Sequence, residues 1–301
     1  MSLAVDTALD VTEPIAPDPA PTRAPARSSR SPLLVVGLAL LAILVFVAVF
    51  APLLTSHDPK EITGRALEGP TSQHWLGTDR PGRDIFAQLV YGARASLIVG
   101  AVAGSLAMAA AVLIGVLPTL IGGLADTLAN RLVVFLLAVP GIPLLVLIGA
   151  LAGNNRTAVV LMISFAGVAH NARTLRSQAL SLRESGYISS ARGFGAGPLY
   201  VLRRHLVPGL GPLILVGFVS WAGIAVGLEA GLAFIGLGDP SGISWGLMLS
   251  RALSQQAIYF SHMWVWWVLP AGFAITLTVL GFTFVGVALE PSFNPRWLRS
   301  L

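Results

Sequence analysis

The sequence predicts an all-α integral membrane protein with about six transmembrane helices. Apolar residues make up 55% of its 301 positions and charged residues only 11%, whereas soluble domains carry roughly 25% charged residues. The mean hydropathy is +0.78, and several uncharged runs are long enough to cross a hydrocarbon core of about 30 Å. This composition excludes an ordinary soluble enzyme and a chain that is disordered over most of its length. With no cysteine, the chain has no disulfide, thiolate metal site or cysteine nucleophile.

The chain is predicted to begin with a disordered cytoplasmic tail over residues 1–32. This stretch is rich in proline and small polar residues, a composition that buries too little apolar surface to fold. The uncharged run Leu33 to Leu54 follows. It is too long for a signal-peptide core and close to the ~20 residues that span a bilayer. Residues 33–54 are therefore predicted to form the first transmembrane helix.

Residues 55–94 are predicted to form an outer segment with an interfacial helix. Thr78 or Asp79 can cap this helix, Pro81 suits its first turn, and apolar residues between Ile85 and Ala93 share one face. Residues 95–290 form a core domain with five further spans, and 291–301 form a cytoplasmic tail. Four of these spans are the uncharged runs Ala95 to Leu124, Leu132 to Gly153, Leu206 to Leu228 and Met263 to Leu289. The remaining span consists of the shorter stretch Thr157 to Ala172, whose helix can extend towards Leu182.

The arginines predict how this protein is oriented. Placing both termini in the cytoplasm puts most of the 19 basic residues on the inner side, as the positive-inside rule requires. The arginines lie between apolar runs instead of on one soluble face, which excludes a nucleic-acid partner. Proline and glycine interrupt the spans, at Pro140 and Pro143 for example, and Gly100 and Gly104 have the GxxxG spacing of close helix packing.

The most informative inner segment covers residues 181–208. It predicts a short helix from about Tyr187 to Phe194, in which Tyr187, Ala191 and Phe194 share a face. Small residues flank that face, and Gly195 can adopt the left-handed conformation that ends a helix. The pattern fits both a docking element and an ordinary solvated connection.

The same segment resembles the EAA loop of permease subunits of binding-protein-dependent ABC importers. Ser189-Ser190-Ala191 occupies the EAA triplet, Gly195 the glycine, and His205 to Pro208 the closing I-x-L-P. The triplet glutamate is replaced by serine, while the spacing and the glycine and proline positions are kept. The resemblance implies that this loop docks an ATPase subunit, through residues Tyr187, Ser189, Ser190, Ala191, Arg192, Phe194, Gly195 and Ala196.

Two outer stretches, His74 to Leu97 and Glu229 to Leu249, resemble the OppC/DppC-like branch of the dipeptide/oligopeptide/nickel permease family. The resemblance implies a type I ABC importer permease fold and an outer gate or binding-protein contact at Asp79, Arg83, Asp84, Asp239 and Trp245. The alternative is a structural role, with Arg83 and Asp84 fixing a helix and Trp245 anchoring a surface loop.

The resemblance further implies a permease subunit, in the bacterial cytoplasmic membrane, of an ATP-driven importer of peptides or related solutes. Its implied partners are a second, homologous permease, two ABC ATPase subunits or domains that carry ATP and Mg²⁺, and an extracytoplasmic binding protein. The chain lacks a GxxxxGK[ST] P-loop, so ATP hydrolysis is expected on another polypeptide. An ion-coupled secondary transporter is the alternative, and a membrane enzyme is disfavoured because no catalytic constellation is present.

Glu229 is the one ionisable residue within an otherwise apolar run. An acid at membrane depth is costly, so the sequence leaves open whether Glu229 lines the translocation path or makes an interhelical polar contact. His170 and Asn171 lie at the end of a span with no second histidine or carboxylate at ligand spacing. The sequence therefore predicts neither a metal site nor a cofactor bound by this chain.

Overall fold

A computed structural model of the protein describes residues 31–153 and 155–290. The predicted tails over 1–32 and 291–301 lie outside this range except for Ser31, which caps the first helix, and Pro32, which begins it. The helices are α1 (Pro32–Val49), α2 (Ala51–Leu54), α3 (Ile85–Ile121), α4 (Gly123–Ala138), α5 (Gly141–Ala152), α6 (Arg156–Arg183), α7 (Gly186–Gly193), α8 (Pro198–Phe234), α9 (Trp245–Leu253), α10 (Ala257–Phe260) and α11 (Met263–Leu289). One π-helical turn lies within α3 (Val112–Val116) and another within α8 (Leu202–Leu206).

The long helices confirm an all-α protein with about six membrane spans. Helices α1, α3, α6, α8 and α11 are each long and apolar enough to cross a bilayer. A sixth span exists only if α4 and α5, which meet at 87°, count as one. The span predicted over Leu132 to Gly153 is therefore a bent pair of helices and not one continuous helix. Pro140 favours an extended conformation in the residue before it, and Val139 has φ −77° and ψ 129°.

Two predicted helix boundaries are also corrected. The interfacial helix expected before Ala95 is the beginning of α3, which starts at Ile85 and continues without a break into the span. Its cap is Asp84, whose side chain accepts a hydrogen bond from the backbone N–H of Ala87, and not Thr78 or Asp79. The first span ends at Val49, and Phe50 separates it from the single turn of α2.

Helices α1 and α11 run antiparallel. Gly37, early in α1, packs against Phe284 and Val285, late in α11, while Leu41 contacts Gly281. Gly223 in α8 contacts Phe282, so the later part of α11 also lies beside α8. The described chain therefore begins and ends at the same end of the bundle, and the cytoplasmic location of that end remains a prediction.

Small residues allow the long helices to approach closely, as the GxxxG spacing predicts. A Cβ added at Gly100 would lie 3.0 Å from the carbonyl oxygen of Ala222, and one at Gly104 would lie 3.1 Å from the Phe218 ring. At Gly167 an added Cβ would overlap the ring of Trp221. These glycines thus set the distance from α8 to α3 and α6.

Separate apolar clusters fill the two ends of the bundle. At one end, called here the α7 end, the cluster includes Val116, Leu175, Ile188 and Leu206. At the other, called the opposite end, it includes Ile85, Val226, Trp245, Met248 and Trp267. The candidate functional residues also divide between these two ends.

Candidate functional site

Helix α7 is a short helix attached to the bundle by one apolar side chain. Ile188 is fully buried in the cluster that also holds Ala179 and Leu206. On the other side of the helix, Tyr187 is exposed and Phe194 is 92% exposed. Burying Ile188 fixes the helix on the bundle and leaves its aromatic edge free for another surface. The sequence pattern does not single out Ile188.

The end of α7 has a defined geometry. The backbone N–H of Ala196 donates to the carbonyl of Ala191 at 3.0 Å, and that of Gly195 donates to the carbonyl of Arg192 at 3.0 Å. These two bonds form a Schellman motif. Gly195 has φ +86° and an added Cβ there would meet no atom within 4 Å, so glycine is required by backbone conformation and not by space.

A groove lies beside the end of α7. The rings of Tyr187 and Tyr200 lie 5.8 and 5.9 Å from the imidazole of His205. The groove has a volume of about 460 Å³ and is lined by Ala191, Phe194, Gly195, Ala196, Gly197, Tyr200 and His205. Of the docking residues inferred from the resemblance, Ala191, Phe194, Gly195 and Ala196 line this groove, and Ser189, Ser190 and Arg192 are exposed on the same short helix.

Two polar contacts join the helices next to α7. Both guanidinium N–H groups of Arg176 in α6 donate to the carboxylate of Asp126 in α4. Arg183, at the end of α6, donates to the carbonyl of Thr119 in α3 at 2.6 Å. Helix α6, which leads directly into α7, is thus connected to two other helices at this end. The sequence alone does not reveal these pairs, because their partners are far apart in the chain.

At the opposite end, Asp79 organises the backbone before α3. Its Oδ1 atom accepts hydrogen bonds from the backbone N–H groups of Gly82 and Arg83, at 3.1 and 2.8 Å. Its Oδ2 atom accepts a bond from the Gln88 amide at 3.0 Å. Asp79 is buried, so these bonds offset the cost of removing its carboxylate from water.

The side chains of Asp84 and Trp245 are also held by hydrogen bonds within the chain. Asp84 caps α3 through Ala87 at 2.7 Å, and its other oxygen lies 2.7 Å from Nδ1 of His74. The Trp245 indole N–H donates to the carbonyl of Leu89 at 2.9 Å. Its ring packs on Gly92, where an added Cβ would lie 2.9 Å from the indole.

Asp79, Asp84 and Trp245 offer little surface to a binding protein, and their place at an outer gate stays a prediction. All three side chains are buried, and their hydrogen bonds are internal to the chain. They fix the loops of the opposite end, which is the structural role given above as the alternative for Asp84 and Trp245. The sequence pattern does not distinguish the two roles, because both place polar and aromatic residues in a loop.

Arg83 and Asp239 are half-buried and accessible. The Ser241 hydroxyl and backbone N–H donate to the Asp239 carboxylate at 2.6 and 2.9 Å. These hydrogen bonds, chiefly that of the hydroxyl, lower the pKa of Asp239, because they favour its charged form. Of the predicted outer contact residues, these two alone have side-chain surface that a partner could reach.

Glu229 lies within α8 and faces α3. Its carboxylate accepts a hydrogen bond from Ser96 at 3.4 Å, and the side chain is buried. It also borders a cavity of about 40 Å³ that Arg156, Asp239 and Ser244 help to line. Glu229 thus makes an interhelical contact and reaches an internal space near the opposite end.

The sequence is similar to known transport proteins over most of its length. Residues 107–299 match the family described as binding-protein-dependent transport system inner membrane component, and residues 24–70 match the N-terminal transmembrane domain of oligopeptide transport permease C. The chain is 36% identical to the dipeptide transport system permease protein DppC of Alkalihalophilus pseudofirmus, with 89% of this chain and 87% of the relative covered. It is 34% identical to the glutathione transport system permease protein GsiD of Pectobacterium atrosepticum, with 84% of each chain covered. It is 31% identical to the oligopeptide transport system permease protein OppC of Bacillus subtilis, with 88% and 86% covered.

Proposed function

Because the chain belongs to the family of inner membrane components of binding-protein-dependent transport systems, we propose that it imports peptides as one of two homologous permease subunits. The names of its relatives refer to dipeptides, oligopeptides and glutathione, which are all peptides. Family membership gives no support to an ion-coupled secondary transporter. The chain is a multi-pass component of the cytoplasmic membrane.

The mechanism rests on one observation: α7 has a buried aliphatic side chain on one side and an exposed aromatic edge on the other. Ile188 anchors the helix in the bundle, while Phe194 and Tyr187 project from it. An ATPase subunit that binds the exposed edge and the neighbouring groove can therefore displace α7 without first unfolding it. The α7 end then faces the cytoplasm, in agreement with the arginines that the positive-inside rule places there.

Displacement of α7 has a short path into the membrane-spanning helices. Ile188 belongs to the same cluster as Leu175 of α6 and Leu206 of α8, and packed side chains transmit displacement because interiors are dense. The Arg176–Asp126 ion pair extends the connection to α4. We assign to this group of contacts the transfer of movement from the ATPase to the spans, as a rigid-body switch.

The remaining components follow from what the chain lacks and what its family supplies. With no P-loop in the sequence, this chain provides no site of that kind for ATP, so two ABC ATPase subunits or domains carry ATP and Mg²⁺. This chain itself binds no cofactor for transport. A second permease completes the pathway, and an extracytoplasmic binding protein delivers the peptide to the opposite end, where Arg83 and Asp239 are accessible.

The test uses the assembled transporter in proteoliposomes with a labelled dipeptide. We compare Gly195→Val with the matched control Gly193→Val, since an added Cβ at either glycine meets no atom within 4 Å and only Gly195 has positive φ. A β-branched residue is strongly disfavoured at positive φ, so Gly195→Val is expected to distort the end of α7.

In this assay, Gly195→Val should abolish ATP-dependent uptake while the chain still inserts and assembles, and Gly193→Val should retain uptake. Normal uptake by Gly195→Val would contradict the docking assignment. Uptake that continues without ATP and follows an imposed ion gradient would contradict the importer mechanism as a whole.

A further inference from the structure

We propose that His57, His74 and Asp84 bind a divalent transition-metal ion of the Zn²⁺ class at the opposite end of the bundle. The three residues lie in the segment between α2 and α3, called here the connecting segment (residues 55–84). His57 follows α2, His74 lies in the middle of the segment, and Asp84 caps α3. This inference does not depend on the transport function.

The three side chains meet at one carboxylate oxygen. Oδ1 of Asp84 accepts the capping bond from Ala87, which leaves Oδ2 for the two histidines. Nδ1 of His74 lies 2.7 Å from Oδ2, and Nδ1 of His57 lies 3.5 Å from it. One potential ligand atom from each residue lies within 4.8 Å of the others. Two imidazoles and one carboxylate therefore face a common point.

The position of His57 distinguishes a metal site from a set of hydrogen bonds. An N–H···O bond normally measures about 2.7–3.2 Å, so 3.5 Å is too long for a good one. Tetrahedral zinc, with bonds of about 2.0–2.2 Å, separates neighbouring ligand atoms by roughly 3.3–3.6 Å. The His57 separation fits two ligands of one ion better than a donor and its acceptor, and His74 would have to move away by less than about 1 Å.

The surrounding residues hold this arrangement in place. The backbone N–H of His74 donates to the hydroxyl of Thr71 at 3.0 Å. Gly64 leaves room for the His74 ring, because an added Cβ there would lie 2.8 Å from Nε2. The imidazoles of His57 and His74 lie 5.0 Å apart, centre to centre. Fixing the ligands before binding reduces the entropy that binding must overcome.

One side of the site is open. His57 is 29% exposed, whereas His74 and Asp84 are buried. His57 and Asp84 both line a cavity of about 510 Å³. A three-ligand site that faces such a space has an entry route and room for water as a fourth ligand. The bound ion would tie the end of α2 to the first turn of α3.

The donor set selects the kind of ion. Imidazole nitrogen suits Zn²⁺, Cu²⁺ and Ni²⁺, whereas Ca²⁺ and Mg²⁺ require several oxygen ligands. The sequence predicts no metal site, because no second histidine or carboxylate lies at ligand spacing from His170. The ligands found in the structure are distant in sequence, and only the folded connecting segment brings them together.

The experiment uses the full chain in lipid nanodiscs, purified through a tag without histidine and freed of metal. Zn²⁺ or Co²⁺ alone is added, and binding is followed by calorimetry and by the visible absorption of four-coordinate Co²⁺. We expect one ion per chain, and a higher unfolding temperature with Zn²⁺, because a ligand that binds only the folded state stabilises it.

His57→Ala should remove both the Co²⁺ absorption and the thermal shift. Asp84→Asn should weaken binding while an asparagine still caps α3, and unfolding of the metal-free variants shows whether they fold. His262→Ala is the matched control, because His262 is exposed and precedes α11 at the same end. Absence of stoichiometric binding by the parent chain, or unchanged binding by His57→Ala, would overturn the proposal.

Discussion

The two ends of the helical bundle use their aromatic and polar residues in opposite ways. At the α7 end, Phe194 and Tyr187 are exposed and one buried residue, Ile188, holds the helix. At the opposite end, Trp245 is only 1% exposed, and Asp79 and Asp84 accept internal hydrogen bonds. Both ends carry family motifs, but the motif aromatic residues are exposed at the α7 end, whereas at the opposite end only Arg83 and Asp239 of the predicted contact residues keep accessible side-chain surface.

This contrast distinguishes two roles of motif residues in a loop: they stabilise the structure of the loop itself, or they bind a partner. The loops of the opposite end are built around buried polar groups, each of which needs its partner, so their motif residues specify the loop's own structure. The motif residues of α7 make few internal contacts, so their identity matters for something outside the chain. Mutations should therefore change stability at one end and coupling at the other.

The largest effect is expected for Trp245→Ala. The substitution removes the ring that packs on Gly92 and the hydrogen bond to Leu89, and it should lower the free energy of unfolding by about 3–5 kcal/mol. Thermal unfolding in detergent measures the change. Trp264→Ala, at a half-exposed position of the same end, is the control and should change stability much less. Equal effects would remove the contrast between packed and accessible aromatic residues.

A smaller loss is expected for Asp79→Ala. The change leaves the N–H groups of Gly82 and Arg83 and the amide of Gln88 without their acceptor, and an unpaired buried polar group costs about 1–3 kcal/mol. Glu61→Ala removes an exposed acid from the same connecting segment and should be nearly neutral. If both variants unfold alike, Asp79 does not organise this segment.

Phe194→Ala should have almost no effect on stability. Because the ring is 92% exposed, the free energy of unfolding should change by less than about 0.5 kcal/mol, while ATP-dependent uptake falls. Phe260→Ala removes an equally exposed ring at the opposite end and should retain both stability and uptake. A marked loss of stability in Phe194→Ala would mean that the ring is a packing residue of the chain.

The smallest effect concerns acid pH and Asp239. The hydrogen bonds from Ser241 place its pKa below the unfolded value, which is about 3.9. Its stabilising contribution is therefore complete above that pH and is lost as the pH falls through the lower, folded-state pKa. The effect is small because the group is partly solvated. Unfolding temperatures of the parent and Asp239→Asn should converge in strong acid, and a constant difference would contradict this assignment.

Hydropathy predicted the spans well and their shape less well. The boundaries of α11 and the short helix near Tyr187 follow from apolar runs and local spacing. The bend between α4 and α5 was not predicted, because an uncharged run shows how long an apolar stretch is and not whether its helix bends. Pro140 marks the position of that bend. A proline alone does not predict a bend, however, because α8 continues as one helix through Pro212.

Contacts between distant residues account for most of what the sequence analysis missed. The Arg176–Asp126 ion pair and the meeting of His57 with His74 depend on tertiary structure. Ile188 carries no motif and is recognised only by its burial. In contrast, Gly195 was predicted to be left-handed from local sequence and has φ +86°, because a helix C-terminus is determined by neighbouring residues.

The docking of α7 on an ATPase subunit can be tested directly by site-specific crosslinking. The chain has no cysteine, so Phe194→Cys and Phe260→Cys each introduce a single reactive thiol, at positions that are 92% and 90% exposed. The assembled transporter is treated with a short crosslinker that joins a thiol to a nearby amine. We predict that Phe194→Cys joins to the ATPase subunit and Phe260→Cys does not. Crosslinking of the ATPase by Phe260→Cys, or by neither variant in an active complex, would contradict the assignment of α7.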